Sequence, residues 1–130
     1  MDDVIEFHKQ KIRLKPDDTE AHKNLGVSYL SIGRYTEAME AFKQVIRLKP
    51  DNAEAHNDLG TAYVALGRRE EAMEAFKQVI RLKPDDAEAH FCLGMAYLNI
   101  NDKGSALEEY KILKTLDVEK ANELFNWIYK

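Results

Sequence analysis

Residues 37–51, Glu-Ala-Met-Glu-Ala-Phe-Lys-Gln-Val-Ile-Arg-Leu-Lys-Pro-Asp, recur letter for letter at residues 71–85. Fifteen identities at an offset of 34 residues do not arise by chance. A period between roughly 20 and 50 residues marks a chain that stacks small units instead of closing around one core. At this period the 130 residues lay out as a single repeat domain: a half repeat over 2–18, repeat one over 19–52, repeat two over 53–86, repeat three over 87–117 and a closing helix over 118–130.

The same chemistry returns at the same place in each copy. Leu25, Leu59 and Leu93 each precede a glycine (Gly26, Gly60, Gly94), followed by Tyr29, Tyr63 and Tyr97. Ala38, Ala72 and Ala106 come next, then Phe42, Phe76 and Tyr110, and finally Pro50 and Pro84. This pattern resembles the tetratricopeptide repeat. The resemblance implies an all-α, right-handed superhelical α-solenoid of antiparallel helix pairs, used as a protein-binding scaffold. Such a scaffold serves unrelated partners, so the fold by itself selects none.

Local signals place the helices. Proline stops one helix and a following Asp or Asn starts the next. Asp17 with Glu20, Asp51 with Glu54 and Asp85 with Glu88 have capping-box spacing,. First helices are expected over 19–32, 53–66 and 87–100, and second helices over 35–48, 69–82 and 103–116. Gly33 and Gly67, with Asn101 in repeat three, suit the left-handed residue that ends each first helix,. Each mid-helix glycine costs about 1 kcal/mol against alanine, so recurrence at 26, 60 and 94 predicts a close neighbour, with Ala38, Ala72 and Ala106 as the small counterparts,. The opening helix, 2–14, carries His8 and Lys11 where Phe42 and Val45 stand in repeat one, which predicts weaker packing. The closing helix carries Phe125, Trp127 and Tyr129, which cannot all face inward with Leu124 and Ile128.

Charge and composition narrow the function. A net charge of −4 argues against a nucleic-acid partner,. No apolar run approaches a membrane span and no leader pattern is visible, so a cytoplasmic protein without a membrane partner is expected,. The single cysteine, Cys92, forms no internal disulfide and reads as a small half-buried residue,. Phosphate-loop, zinc-helix, Cys-x-x-Cys and nucleophile-elbow patterns are all missing, so the expectation is no enzyme, no catalytic residue, no cofactor and no metal,. His22, His56 and His90 recur at one repeat position, but stacked helices lie roughly 10 Å apart, too far to share a metal at about 2 Å per bond,. They read as packing residues.

The resemblance also implies where a partner binds. In this family the concave surface is lined mainly by the first helices, at the second, fifth, sixth, ninth, twelfth and thirteenth repeat positions. Carried onto this chain, the groove consists of Glu20, Lys23, Asn24, Val27 and Leu30, then Asn57, Asp58, Thr61 and Val64, then Glu88, Phe91, Met95 and Leu98. Glu54 adds to its acidic margin. Of five positions that grip a terminal carboxylate in some co-chaperones, only Lys23 matches; Val27, Asp58, Glu88 and Cys92 occupy the rest, and the two acids would repel such a ligand,. The expected function is a scaffold or adaptor that holds a peptide or helix of another protein. The alternatives are a self-assembling module, with Phe125, Trp127 and Tyr129 at the contact between copies of a homo-oligomer, or the recruiting arm of a larger enzyme.

Overall fold

The structure is a computed structural model that describes residues 2–130. Among them run eight helices: α1 (Asp2–Leu14), α2 (Thr19–Ser31), α3 (Tyr35–Leu48), α4 (Ala53–Ala65), α5 (Arg69–Leu82), α6 (Ala87–Asn99), α7 (Lys103–Leu116) and α8 (Val118–Ile128). The second helices fall on the expected bounds, and each first helix ends one residue early. Gly33, Gly67 and Asn101 hold φ of 77°, 74° and 63° in the turns that follow. A left-handed residue there lets the chain reverse within three residues, so α3 folds back on α2 and α7 on α6,.

The caps correct the expected register. Asp18, Asn52 and Asp86 are the N-caps, each accepting from the backbone N–H three residues on, at Ala21 (3.1 Å), Ala55 (2.9 Å) and Ala89 (3.0 Å). A capping box needs Glu three residues after the cap, and alanine stands there. Glu20, Glu54 and Glu88 instead sit one residue nearer the start, where their charge suits the positive end of the helix dipole.

The chain clusters into two compact units, Met1–Ala72 and Met73–Lys130, with the division inside α5. In the first, α2 packs on α1 and α3, and α3 packs on α4. Phe42 and Val45 are fully buried here. The close neighbour of Gly26 is Phe42 and not the expected Ala38: a Cβ at Gly26 would lie 2.6 Å from the Phe42 ring. Glycine is required because the Phe42 ring leaves no room for a side chain there. Helix α1 is the weak member, as its register predicts. Only Ile5 is buried, His8 has a buried Nδ1 without a partner among the described residues, and Phe7 and Leu14 are exposed.

In the second unit α6, α7 and α8 pack mutually. Ala106, Leu113, Ala121, Leu124 and Ile128 form its buried centre. Here too alanine is not the glycine's neighbour: a Cβ at Gly94 would meet Leu124 Cδ2 at 2.7 Å. Where repeats one and two close on Lys-Pro-Asp, a single residue, Asp117, joins the last two helices. It is the C-cap of α7 and the N-cap of α8, accepting from the Lys120 N–H at 3.2 Å.

Candidate protein-interaction surface

Each first helix is tied to the preceding turn by its histidine. The Nε2–H of His22, His56 and His90 donates to the carbonyl oxygens of Pro16 (2.8 Å), Pro50 (2.9 Å) and Pro84 (2.7 Å). All three rings are buried. They are structural, and the bond orients the face of the first helix opposite to the ring. Repeat three adds a contact that sequence reasoning missed: His90 Nδ1 lies 2.8 Å from Glu109 Oε1, both side chains being buried. Repeats one and two have Ala41 and Ala75 at that register. Because His90 Nε2 already donates to a carbonyl, its Nδ1 is the ring atom left to meet this carboxyl group,.

None of the thirteen expected groove residues is buried. In the first unit α2 and α4 are neighbours, and Lys23 Nζ lies 3.0 Å from Glu54 Oε1. That pair removes Lys23 as a free cation; the carboxylate raises its pKa through a hydrogen bond and charge. Asp58 sits next to both. Burial, aided by the Glu54 charge and opposed by Lys23, pushes its pKa up to about 6. Val27 and Val64 are 45% and 56% exposed, with Thr61 and Glu20 also exposed, whereas Asn24, Leu30 and Asn57 are half-buried. The first-unit portion is therefore two exposed valines beside acidic groups.

The second-unit portion is arranged differently. Phe91, Met95 and Leu98 are half-buried and pack on the cluster formed by α7 and α8. Glu88 pairs with Lys120 at 2.9 Å, and the same lysine lies 5.8 Å from the Phe91 ring centroid. Helix α8 thus lends a cation to this face, a contribution no repeat position signals. Cys92 is half-buried, its thiol 3.6 Å from Glu88 Oε1; burial and that carboxylate push its pKa up to about 12 and keep it a thiol.

Other features lie off this face. In the first unit a cleft of about 540 Å³ has Ile12, Leu25, Tyr29 and Ala41 as its apolar lining, with Lys9, Arg13, Glu37 and Glu40 also facing it. Arg34 pairs with Glu37 and Arg68 with Glu71, each arginine stacked on the tyrosine of its repeat, Tyr29 at 5.1 Å and Tyr63 at 5.3 Å. Among the described residues no three His, Cys, Asp or Glu are placed to hold a metal ion. No described helix is long and apolar enough to cross a membrane.

Paired helices at a fixed period, each first helix tied by a buried histidine to the turn before it, define a helical-repeat interaction scaffold. Tetratricopeptide-repeat signatures match residues 30–90 and 75–108, which together span more than half of the chain. The chain belongs to the tetratricopeptide repeat family, with three 34-residue repeats, an N-terminal partial repeat and a C-terminal helix. Two crystal structures of MamA superpose with TM-scores of 0.90 and 0.89 at 26% identity, each over 96% of this chain and over 74% and 69% of their own. No curated protein matches by sequence.

Proposed function

We propose that the face carrying Val27, Val64, Glu20 and Asp58 holds an amphipathic segment of another protein, with apolar anchors on the valines and basic residues beside the acids. The observation that supports this most is the exposure of both valines on neighbouring helices, next to a carboxyl whose ionisation burial opposes. A folded chain gains nothing in stability from keeping two branched apolar side chains in water, and a partner that covers them does gain. A cation placed at Asp58 restores the missing counter-charge. Phe91, Met95 and Leu98, less exposed, offer apolar contact in the second unit.

The test uses synthetic amphipathic helices with leucine anchors and either lysine or glutamate flanks, titrated against the wild-type chain and Val27→Glu/Val64→Glu. The lysine-flanked peptide should bind better. The double variant should weaken it by tenfold or more, in line with roughly 1–3 kcal/mol for each buried anchor. Binding should also release protons near pH 6, because a cation at Asp58 lowers its raised pKa; isothermal titration in buffers of different ionisation enthalpy reads this. Equal binding by wild type and double variant, at equal helicity, would remove the reading.

A further inference from the structure

The buried histidines differ in what meets their second ring nitrogen. In repeat three both nitrogens of His90 have partners: Nε2 donates to the Pro84 carbonyl oxygen at 2.7 Å, and Nδ1 lies 2.8 Å from Glu109 Oε1. In repeat one His22 Nε2 makes the same bond, to Pro16 at 2.8 Å, but its Nδ1 has no partner among the described residues. The ring is nonetheless buried, at 8% exposure against 4% for His90. Ala41 stands at the register of Glu109, two periods of 34 residues earlier. A polar atom in a largely buried ring gains most from a partner that water does not supply.

His22 and Ala41 are not sealed in. Both line the cleft of about 540 Å³ in the first unit, whose apolar wall is Ile12, Leu25, Tyr29 and Ala41. An apolar wall of that extent with a few convergent polar groups suits a small molecule. The two ends of the cleft differ. The bond to Pro16 holds His22 where α1 closes, beside Arg13, and α3, folded back on α2, brings Gln44 to the same end. Tyr29 and Glu37 mark the other end, where Glu37 is paired with Arg34. Lys9 and Arg13 therefore face the cleft as cations from α1, and Glu40 is the further carboxylate that faces it from α3. Arg13 also reaches Glu6, at 3.5 Å, but both side chains are exposed and water screens the pair,.

The aromatic groups of α8 are matched within the second unit instead. Phe125 packs between Tyr110 and Tyr129, at 5.3 and 4.8 Å between ring centroids, and Lys130 lies 4.2 Å from the centroid of Trp127.

We infer that the first-unit cleft binds a small carboxylic acid with an apolar body, its carboxyl group on His22 Nδ1 in the place that Glu109 takes on His90. The contact between His90 and Glu109 is the chain's own example of this recognition. The one proton of the new bond comes with the acid or is held by the ring, because Nε2 keeps its own on Pro16. Arg13 favours the anion, and the apolar body lies on Ile12, Leu25 and Tyr29.

The probes are phenylbutyrate, its methyl ester and butyrate, each titrated against the full chain by calorimetry, with the histidine ring signals followed by NMR. Phenylbutyrate should bind about tenfold or more tightly than the ester, which brings neither charge nor proton. Butyrate, without the apolar body, should not bind measurably. The His22 ring signals should move with the acid while those of His90 stay, since Glu109 already meets that nitrogen. Ala41→Glu sets a carboxyl in repeat one where Glu109 stands in repeat three and should abolish binding. If that variant loses helicity, His22→Phe keeps a buried ring without Nδ1 and should reduce the acid to the affinity of the ester. Arg13→Gln should weaken the acid and leave the ester unchanged. Equal binding of acid and ester overturns the inference, and so does an acid that fails to bind at millimolar concentration. Binding that moves His22 no more than His90, or that Ala41→Glu and His22→Phe leave intact at wild-type helicity, overturns it as well.

Discussion

Asp58 shows at the residue scale how the fold sets a charge. Its raised pKa, about 6, means that the folded chain binds this proton more tightly than the unfolded one does. The associated stability is fully present below pH 4 and is lost as pH rises through about 6. Asp58→Asn should therefore flatten the fall in melting temperature between pH 4 and 6.5 and melt higher than wild type at pH 7.5; thermal melts across that range check it. The glycines divide in the same way. Gly26→Ala gains about 1 kcal/mol of helix propensity but drives a methyl into the buried Phe42 ring, an overpacking cost of about 1–3 kcal/mol, so denaturant unfolding should show a net loss,. Gly104→Ala, at an exposed position in the first turn of α7, meets only Asp102 Oδ1, at 3.7 Å, and should stabilise by about 0.5–1 kcal/mol,. The sequence marks Gly26 as special, yet it does not name the ring above it, because alanine and phenylalanine lie four residues apart on the same face of α3.

Among elements, α1 and α8 depart from the repeat in different directions. Helix α1 keeps the length and end of a second helix but loses its apolar register at His8 and Lys11, and the structure buries only Ile5. That weakness was legible, since each substitution puts a polar group at a core position. Helix α8 was legible as a helix but not in its role. Its Ala121, Leu124 and Ile128 close the second unit's centre, Leu124 fills the space over Gly94, and Lys120 reaches Glu88 and Phe91. A chain ending at Leu116 should lose that centre. Burying Leu124 and Ile128 contributes about 2–5 kcal/mol each by comparison with core truncations, so the far-UV melt should shift down by about 10 °C or more. An unchanged melt would mean that α8 is a passive cover.

At the scale of the whole molecule, a scaffold needs surface that its own folding leaves unsatisfied, and this chain has such surface in two kinds of place. One is the first-helix face, where exposed valines adjoin acid; the other is the cleft of the first unit, where His22 Nδ1 has no partner among the described residues. They are separable, since Val27 and Val64 do not line the cleft. Helix bounds, the turns at Gly33, Gly67 and Asn101 and the period of 34 were determined by the sequence alone, because capping, chain reversal and amphipathic spacing act between residues a few positions apart. Even there the cap shifted by one residue, since an Asp-Asp or Asp-Asn pair offers two candidates and only the helix start selects between them. The rest was decided by tertiary structure: Lys23 with Glu54, His90 with Glu109, Glu88 with Lys120, and the half-burial of Phe91 and Met95 that left Val27 and Val64 as the more exposed apolar groups. These contacts join residues 19 or more positions apart, and a repeat pattern states which positions face a neighbour but not which side chain the neighbour presents.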